Sequence, residues 1–449
     1  MAKFVGRERE LRALARACGG EGGLAVVSGR RRVGKTALLD RFARDWEGPA
    51  VFLPGTRAPT PEALRRLEER IRAVLAPAPG DALDLGSLDT WDAALGYLLA
   101  RARHEPVLLI LDEFPYLCEA DPSLPSTLQA RWDHRDDARL SVVLAGSHVG
   151  LMEDLLSADA PLFGRADAHL RVAPFGWREA PDLVGGTDPD AWLEAVVTVG
   201  GMPRYLSLWD ARHDALTNLV DLLDGPGAPL GDEGLVVQQE LNPASAPARL
   251  LELVALGATT FGELRERSGL APATTSGALD QLERLGLVDR QTPAGEDRWR
   301  TRRVRYQVRD PLLGLWLALV QPHREAFELG RGGDVLASGR EVLVTRQREA
   351  LAGVVRDWLA SACAAEVGPW WDGGAQEVVD ALALRGGAPV AAATGRWAAG
   401  VDAGAPARQV RDALAATRHG PPQEVHVVAR EGTGVVTPDD LYRDGSAVG

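Results

Sequence analysis

Lysine is almost missing from this chain of 449 residues: Lys3 and Lys35 are the only ones among 50 strong bases, and the rest are arginine. In a chain that uses guanidinium nearly everywhere, Lys35 stands where a compact ammonium fits a tight loop and a broad fork does not. Cysteine is scarce too. Cys18, Cys118 and Cys363 are odd in number, far apart and without metal-ligand spacing, which excludes a disulfide framework or zinc ribbon and reads as small buried residues in a reducing compartment. No apolar run approaches the roughly 20 residues of a membrane span, and the first residues lead into the charged segment Gly6 to Arg12. The expectation is a cytoplasmic protein with no membrane partner. A net charge of -13 excludes a surface coated for nucleic acid, so any basic face must be local. With 45% apolar and 25% charged residues, the composition is that of a globular chain of about three domains.

What is present is concentrated in two stretches. Gly29-Arg30-Arg31-Arg32-Val33-Gly34-Lys35-Thr36 matches G-x-x-x-x-G-K-[ST] in full and follows the apolar run Leu24 to Val27 directly. Strand, loop and helix start are what a phosphate cradle requires. Backbone N–H groups curled by the glycines point at phosphates, and the opening helix adds its positive end. The phosphate-binding set is Gly29, Arg32, Val33, Gly34, Lys35, Thr36 and Ala37. Lys35 reaches the β and γ phosphates, and Thr36 offers its hydroxyl to Mg²⁺.

The second stretch is Val107-Leu108-Leu109-Ile110-Leu111-Asp112-Glu113. A continuous apolar run ending in carboxylates is a strand buried on both faces whose C-terminal end meets a site. Asp112 is the expected magnesium ligand through water, and Glu113 the general base for the attacking water. Leu140 to Ser147 reads as a further buried strand, with Ser147 placed to sense the γ phosphate. Arg165, in a loop after Pro161-Leu162-Phe163-Gly164, is the candidate charge-stabilising arginine, acting in cis or from a neighbour.

Phe4-Val5-Gly6-Arg7-Glu8-Arg9-Glu10 resembles the hhGRExE motif that opens STAND-type AAA+ ATPases, and that resemblance implies that Gly6 and Arg7 lie beside the base. Gly200-Gly201-Met202-Pro203 is similar to the GxP element of the same proteins, in which the proline touches the base and couples a helical lid to nucleotide state. A short strand at Val51 lies between the two motif strands in sequence, which suits the AAA+ type, where an extra strand separates them in space.

Downstream, helices at Ala248–Leu256, Phe261–Ser268 and Pro272–Leu285, then a strand at Leu287, resemble a winged helix. Its wing carries Arg298, Arg300, Arg302, Arg303 and Arg305, with no acid from Arg298 to Arg309. Such a cluster can grip DNA phosphates. The recognition helix is poor in base, so DNA contact and an internal scaffolding role both stay open. The last segment has a helix from Val342 to Ala360, strands at Glu377–Leu384 and from Val390, a helix at Ala405–Ala416 and a strand at Glu424–Ala429.

In this order the whole chain resembles the archaeal-type ATPases that join a STAND-like AAA+ core, a winged helix and a C-terminal restriction-endonuclease-like domain. The expected fold class is α/β: a P-loop (AAA+/ASCE) parallel sheet at 1–175, a helical lid at 176–245, a winged helix at 246–310, a linker helix and loop at 311–339, and the endonuclease-like domain at 340–449. Such a site needs an acid and then E-x-K. Asp380 fits the acid, but Thr394-Gly395-Arg396 replaces the glutamate and the lysine, so the domain is expected to be catalytically dead. The resulting expectation is an ATP- and Mg²⁺-dependent regulatory switch that hydrolyses ATP, with DNA, a second copy of itself and a protein as partners. An ATP-liganded DNA-binding regulator and an ATP-dependent nuclease are the alternatives.

Overall fold

The computed structural model describes residues 4–75, 88–372, 378–415, 417 and 419–445. The Pro-, Gly- and Asp-containing stretch Ala76–Gly86, expected from its composition to be a surface loop, and the acid Glu377 lie outside them. The chain divides into two compact units, Met1–Pro174 and Phe175–Gly449.

The first unit is a five-stranded parallel sheet: β1 (Leu24–Ser28), β2 (Ala50–Pro54), β3 (Val107–Asp112), β4 (Leu140–Gly146) and β5 (Ala168–Arg171), in the order β2-β3-β4-β1-β5. Every residue of β1, β3 and β4 is buried, as unbroken apolar runs demand when helices cover both faces. The strand that separates the two motif strands in space is β4, whereas β2, the strand at Val51, takes the outer edge beside β3. The helices are α1 (Glu8–Cys18), α2 (Lys35–Arg44), α3 (Thr60–Val74), α4 (Trp91–Ala102), α5 (Phe114–Ala120), α6 (Leu124–Asp133) and α7 (Val149–Asp154). Leu64, Leu67 and Ile71 of α3 and Leu95 and Leu98 of α4 pack on Leu109, Leu111 and Val142. Each such side chain contributes about 1.5–3 kcal/mol on burial, enough to fix the strand ends that carry the motif residues.

In the second unit, short helices come first: α8 (Ala180–Val184), α9 (Pro189–Val199), α10 (Pro203–Leu206), α11 (Ala215–Leu223) and α12 (Glu233–Leu241). The winged helix follows as α13 (Ala246–Ala255), α14 (Phe261–Ser268), α15 (Pro272–Leu285) and the antiparallel pair β6 (Val288–Gln291) and β7 (Arg305–Val308). Thr260 and Glu263 form a reciprocal capping box at the start of α14. After α16 (Pro311–Leu315) the apolar run continues as a π-helical turn, Trp316–Val320, and α17 (Arg324–Glu328) follows. Within the segment expected as a linker helix and loop at 311–339, the glycine-rich Gly330–Gly333 leads into α18 (Gly332–Ser338), where the Asp224 carboxylate accepts from the N–H groups of Gly332 and Gly333 at 2.7 and 3.1 Å.

The long helix α19 (Arg340–Ala362) joins these parts. Its buried Gln347 donates to Thr198 of α9 at 2.8 Å, and its buried Arg346 donates to the Ala255 carbonyl of α13 at 3.2 Å. The final sheet contains β8 (Glu366–Trp371), β9 (Val378–Arg385), β10 (Ala388–Arg396) and β12 (Glu424–Ala429), in the order β12-β10-β9-β8. Here β9 is antiparallel to both neighbours and β12 is parallel to β10. A minor pair, β11 (Val401–Asp402) with β13 (Gly432–Thr433), and helices α20 (Gly404–Ala415) and α21 (Pro438–Gly445) complete the unit.

Candidate nucleotide-binding site

Between β1 and α2 the backbone takes left-handed values at Arg32 (φ 65°) and Gly34 (φ 96°). Gly34, the residue before α2, adopts that conformation without strain because it has no Cβ. Lys35 is 4% exposed, and its Nζ donates to the carbonyls of Gly29 at 2.8 Å and Arg30 at 3.1 Å. Thr36 and Ala37 follow on the exposed side of the first turn, and Val33 is buried beneath the loop.

Thr36 Oγ1 donates to Asp112 Oδ2 at 2.7 Å, which brings the ends of the two motifs together although 76 residues separate them. The other Asp112 oxygen accepts from the Glu113 N–H at 3.0 Å. Burial pushes the Asp112 carboxyl above its usual range, with the Thr36 hydrogen bond and the Lys35 charge opposing. Hydroxyl and carboxylate oxygens are what a hard cation takes, and Mg²⁺ usually uses one or two protein ligands beside phosphates and water. The donor set therefore fits magnesium.

Glu113 sits in a left-handed conformation (φ 49°) just before α5. That geometry turns its carboxylate toward the end of β4, where one oxygen accepts from both the Ser147 hydroxyl at 2.8 Å and the Ser147 N–H at 3.1 Å. Gly6 and Arg7 also have positive φ, and the buried Arg7 guanidinium donates to the Val33 carbonyl at 3.0 Å and to Glu10 at 2.9 Å. The motif expected beside a base thus buttresses the loop through Val33. Sequence reading missed Tyr116, whose hydroxyl accepts from Arg31 and whose ring lies 5.1 Å from the Arg57 guanidinium. An aromatic one turn after Asp112-Glu113 was the available signal.

Arg165 is engaged inside its own unit, with Nε and Nη2 donating to the two oxygens of Asp133 at 2.7 Å each. Pro203 belongs to the second unit, where it opens α10; the Tyr205 hydroxyl of that helix donates to buried Glu233 at 2.6 Å. A depression of about 550 Å³ in the first unit is lined by Arg16, Gly22 and Asp167, at the N-terminal ends of β1 and β5. Ligands of open parallel sheets bind at the opposite ends, where the loop and Asp112 lie.

The wing arginines do not form one open basic face. Arg298 pairs with Glu283 of α15, Arg303 with Glu296 at 2.5 Å, Arg300 with Asp297 at 3.6 Å, and Arg305 lies 4.8 Å from the Trp371 ring centre. Glu296 and Asp297 immediately precede the stretch Arg298–Arg309, and Glu283 reaches it from α15. Arg302 is exposed, as is Trp299 at 85%.

Residues 4–208 match the model of an ATPase domain predominantly from Archaea, and residues 241–298 match the MarR family. The amino-terminal segment is an ATPase domain of that archaeal type. The chain is 24% identical over 339 residues to an uncharacterized protein of Methanocaldococcus jannaschii, covering 73% of this chain and 71% of the relative. The Walker-type ATPase of Pyrococcus abyssi superposes with a TM-score of 0.50 at 19% identity, covering 70% of this chain and 96% of that one. The ORC2 protein of Aeropyrum pernix gives a TM-score of 0.46 at 15% identity, covering 78% and 96%. The fold is thus a P-loop parallel-sheet ATPase core followed by helices, a winged helix and a mixed-sheet C-terminal domain. Among the described residues no helix is long and apolar enough to cross a membrane.

Proposed function

We propose that this ATPase-domain protein is a regulatory switch of the AAA+/STAND type, which binds and hydrolyses ATP and passes its nucleotide state to the winged helix and C-terminal domain. The observation that carries the reading is the 2.7 Å contact of Thr36 with Asp112. In this reading Gly29, Arg32, Val33, Gly34 and Ala37 shape the cradle, Lys35 leaves its two carbonyls for the β and γ phosphates, and Thr36 and Asp112 hold Mg²⁺. Bound magnesium supplies charge neutralisation between the phosphates. Glu113 takes a proton from the attacking water, Ser147 orients Glu113, and Arg165, once freed from Asp133, meets charge developing on the phosphate. Gly6 and Arg7 border the base, and Pro203 reports its presence to the helices that follow.

The test is turnover and binding in two variants. Lys35→Ala is expected to abolish ATP binding, and Glu113→Gln to keep binding while hydrolysis falls by about 100-fold or more. Turnover that survives both changes would refute the site.

DNA is the proposed macromolecular partner, since the outer face of α15, with Thr274, Ser276 and Gln281, is exposed and the segment matches the MarR family. Arg300 and Arg302 are the wing residues best placed for phosphates. The order α19-β8-β9-β10-α20-β12 supports an endonuclease-like ancestry for the last domain. Its acid, Asp380, accepts from the Thr394 hydroxyl at 3.0 Å and the Gly395 N–H at 2.8 Å, and Arg396 donates to Thr394 at 2.9 Å. A neutral hydroxyl thus occupies the metal-binding glutamate's position, which supports a non-cleaving, binding role.

A further inference from the structure

A second cavity, of about 300 Å³, opens wholly within the second unit, between the wing strands β6 and β7, one face of α19 and the edge of the C-terminal sheet. Its wall contains three guanidinium groups: Arg305 of β7, and Arg348 and Arg356 of α19. Thr345, Arg348, Ala352 and Arg356 follow one another at intervals of three and four, so α19 turns a single stripe toward the cavity, and the small Ala352 leaves the space open.

Of the two acids in the wall, Asp380 attracts the neighbouring Arg356 while being held along its own sheet, and Glu349 is held by its own helix. Asp380 takes its hydrogen bonds from Thr394 and Gly395 along its own sheet, and Glu349 is paired with buried Arg346 at 2.7 Å. Arg356 gives one N–H to the Asp380 main-chain oxygen at 3.2 Å, which leaves most of its five donors for other acceptors. Arg305 lies 4.8 Å from the Trp371 ring centre and is attracted by Asp372 and Glu263 beside the cavity, and Arg348 stands exposed. Deeper in, Gln291 donates to Gln307 at 2.7 Å, so the pair still offers both a donor and an acceptor.

Planar guanidiniums converging from two elements match the oxygens of a phosphate, and the amide pair matches sugar hydroxyls or a base edge. The volume lies at the lower end for small-molecule sites and is far too small for a duplex. We propose that this cavity binds the phosphate of a small ligand of nucleoside-monophosphate size, gripped by Arg305, Arg348 and Arg356. Because one of the three comes from the wing and two from α19, the ligand ties the winged helix to the C-terminal domain. The site is separate from the phosphate loop and does not depend on the ATPase reading.

Isothermal titration of the full chain carrying Lys35→Ala, which disables the phosphate loop, tests the proposal with AMP, inorganic phosphate and adenosine as probes. AMP is expected to bind at one site per chain, adenosine not to bind, and Arg348→Ala and Arg305→Ala each to weaken AMP by about tenfold. Inorganic phosphate binding as tightly as AMP would assign the grip to the free ion, and weaker binding would assign it to the monoester. No binding of AMP or phosphate at millimolar concentration would overturn the proposal, as would unchanged affinity in Arg348→Ala, a substitution at an exposed position that leaves the fold intact.

Discussion

One oxygen of Glu113 accepts two hydrogen bonds from Ser147, from its hydroxyl at 2.8 Å and from its N–H at 3.1 Å. The pair lies across neighbouring strand ends, so the side chain proposed as the base is held by its neighbour. Ser147→Ala removes the hydroxyl and keeps the N–H. ATP turnover should fall by about tenfold, with nucleotide affinity unchanged and the rate restored by Ser147→Thr. Steady-state hydrolysis beside calorimetric binding separates these effects, and equal loss in both would make Ser147 merely structural.

Asp112 gives a stability test with a definite sign. Burial raises its carboxyl above the unfolded value, so the folded chain holds a proton that the unfolded chain has released, and stability falls as pH rises through that interval. Asp112→Asn should therefore flatten the acid-side pH dependence and raise the melting temperature of the nucleotide-free protein at neutral pH. The same variant should lose the extra stabilisation that Mg²⁺ and ATP give the parent, which thermal melts with and without both ligands will show.

The wing is inserted into the C-terminal domain. Ala294 packs with Trp370, Leu382 and Leu384, its N–H donates to the Pro369 carbonyl at 2.7 Å, and Gly295, at φ 75°, leaves room where a Cβ would approach Leu384 to 2.8 Å. Ala294→Glu places a charge in that cluster and should cost about 2–4 kcal/mol. The expected outcome is faster protease cleavage in the wing, with ATP binding unchanged.

If DNA is the partner, its salt dependence should single out particular arginines. Removing Arg302 should reduce the slope of log affinity against log salt by about 0.9, the contribution of one phosphate contact. Arg298→Ala should change it little, because that side chain is spent on Glu283. Equal effects from both would mean that the wing opens on binding.

The parts legible in the chain were those written in local runs. Leu24–Val27 and Val107–Leu111 announce doubly covered strands, and the motifs that follow them meet where Thr36 donates to Asp112 at 2.7 Å. Sheet order was not legible, since a short apolar run such as Ala50–Leu53 does not say which strands lie beside it, and β2 takes the edge while β4 separates the two motif strands. Nor was the pairing of Arg298, because its partner Glu283 sits on α15, 15 residues upstream. The start of α18 was hidden for a similar reason: its cap, Asp224, lies 108 residues upstream of Gly332. Local chemistry spells out elements and motif ends, and tertiary closure decides their neighbours.

The folded-back Lys35 leaves the loop chemically isolated. Its ε-amine is shielded and shared between two carbonyls, and only one other side-chain amine, that of Lys3, exists in 48.0 kDa of protein. Reductive methylation with isotope-labelled formaldehyde would therefore have only the terminal amine and two lysines to mark, and would reach Lys35 only when the loop releases its amine. The spectrum of so sparsely tagged a molecule would report the environment of the loop through a single resolved signal, with no mutation needed to see it.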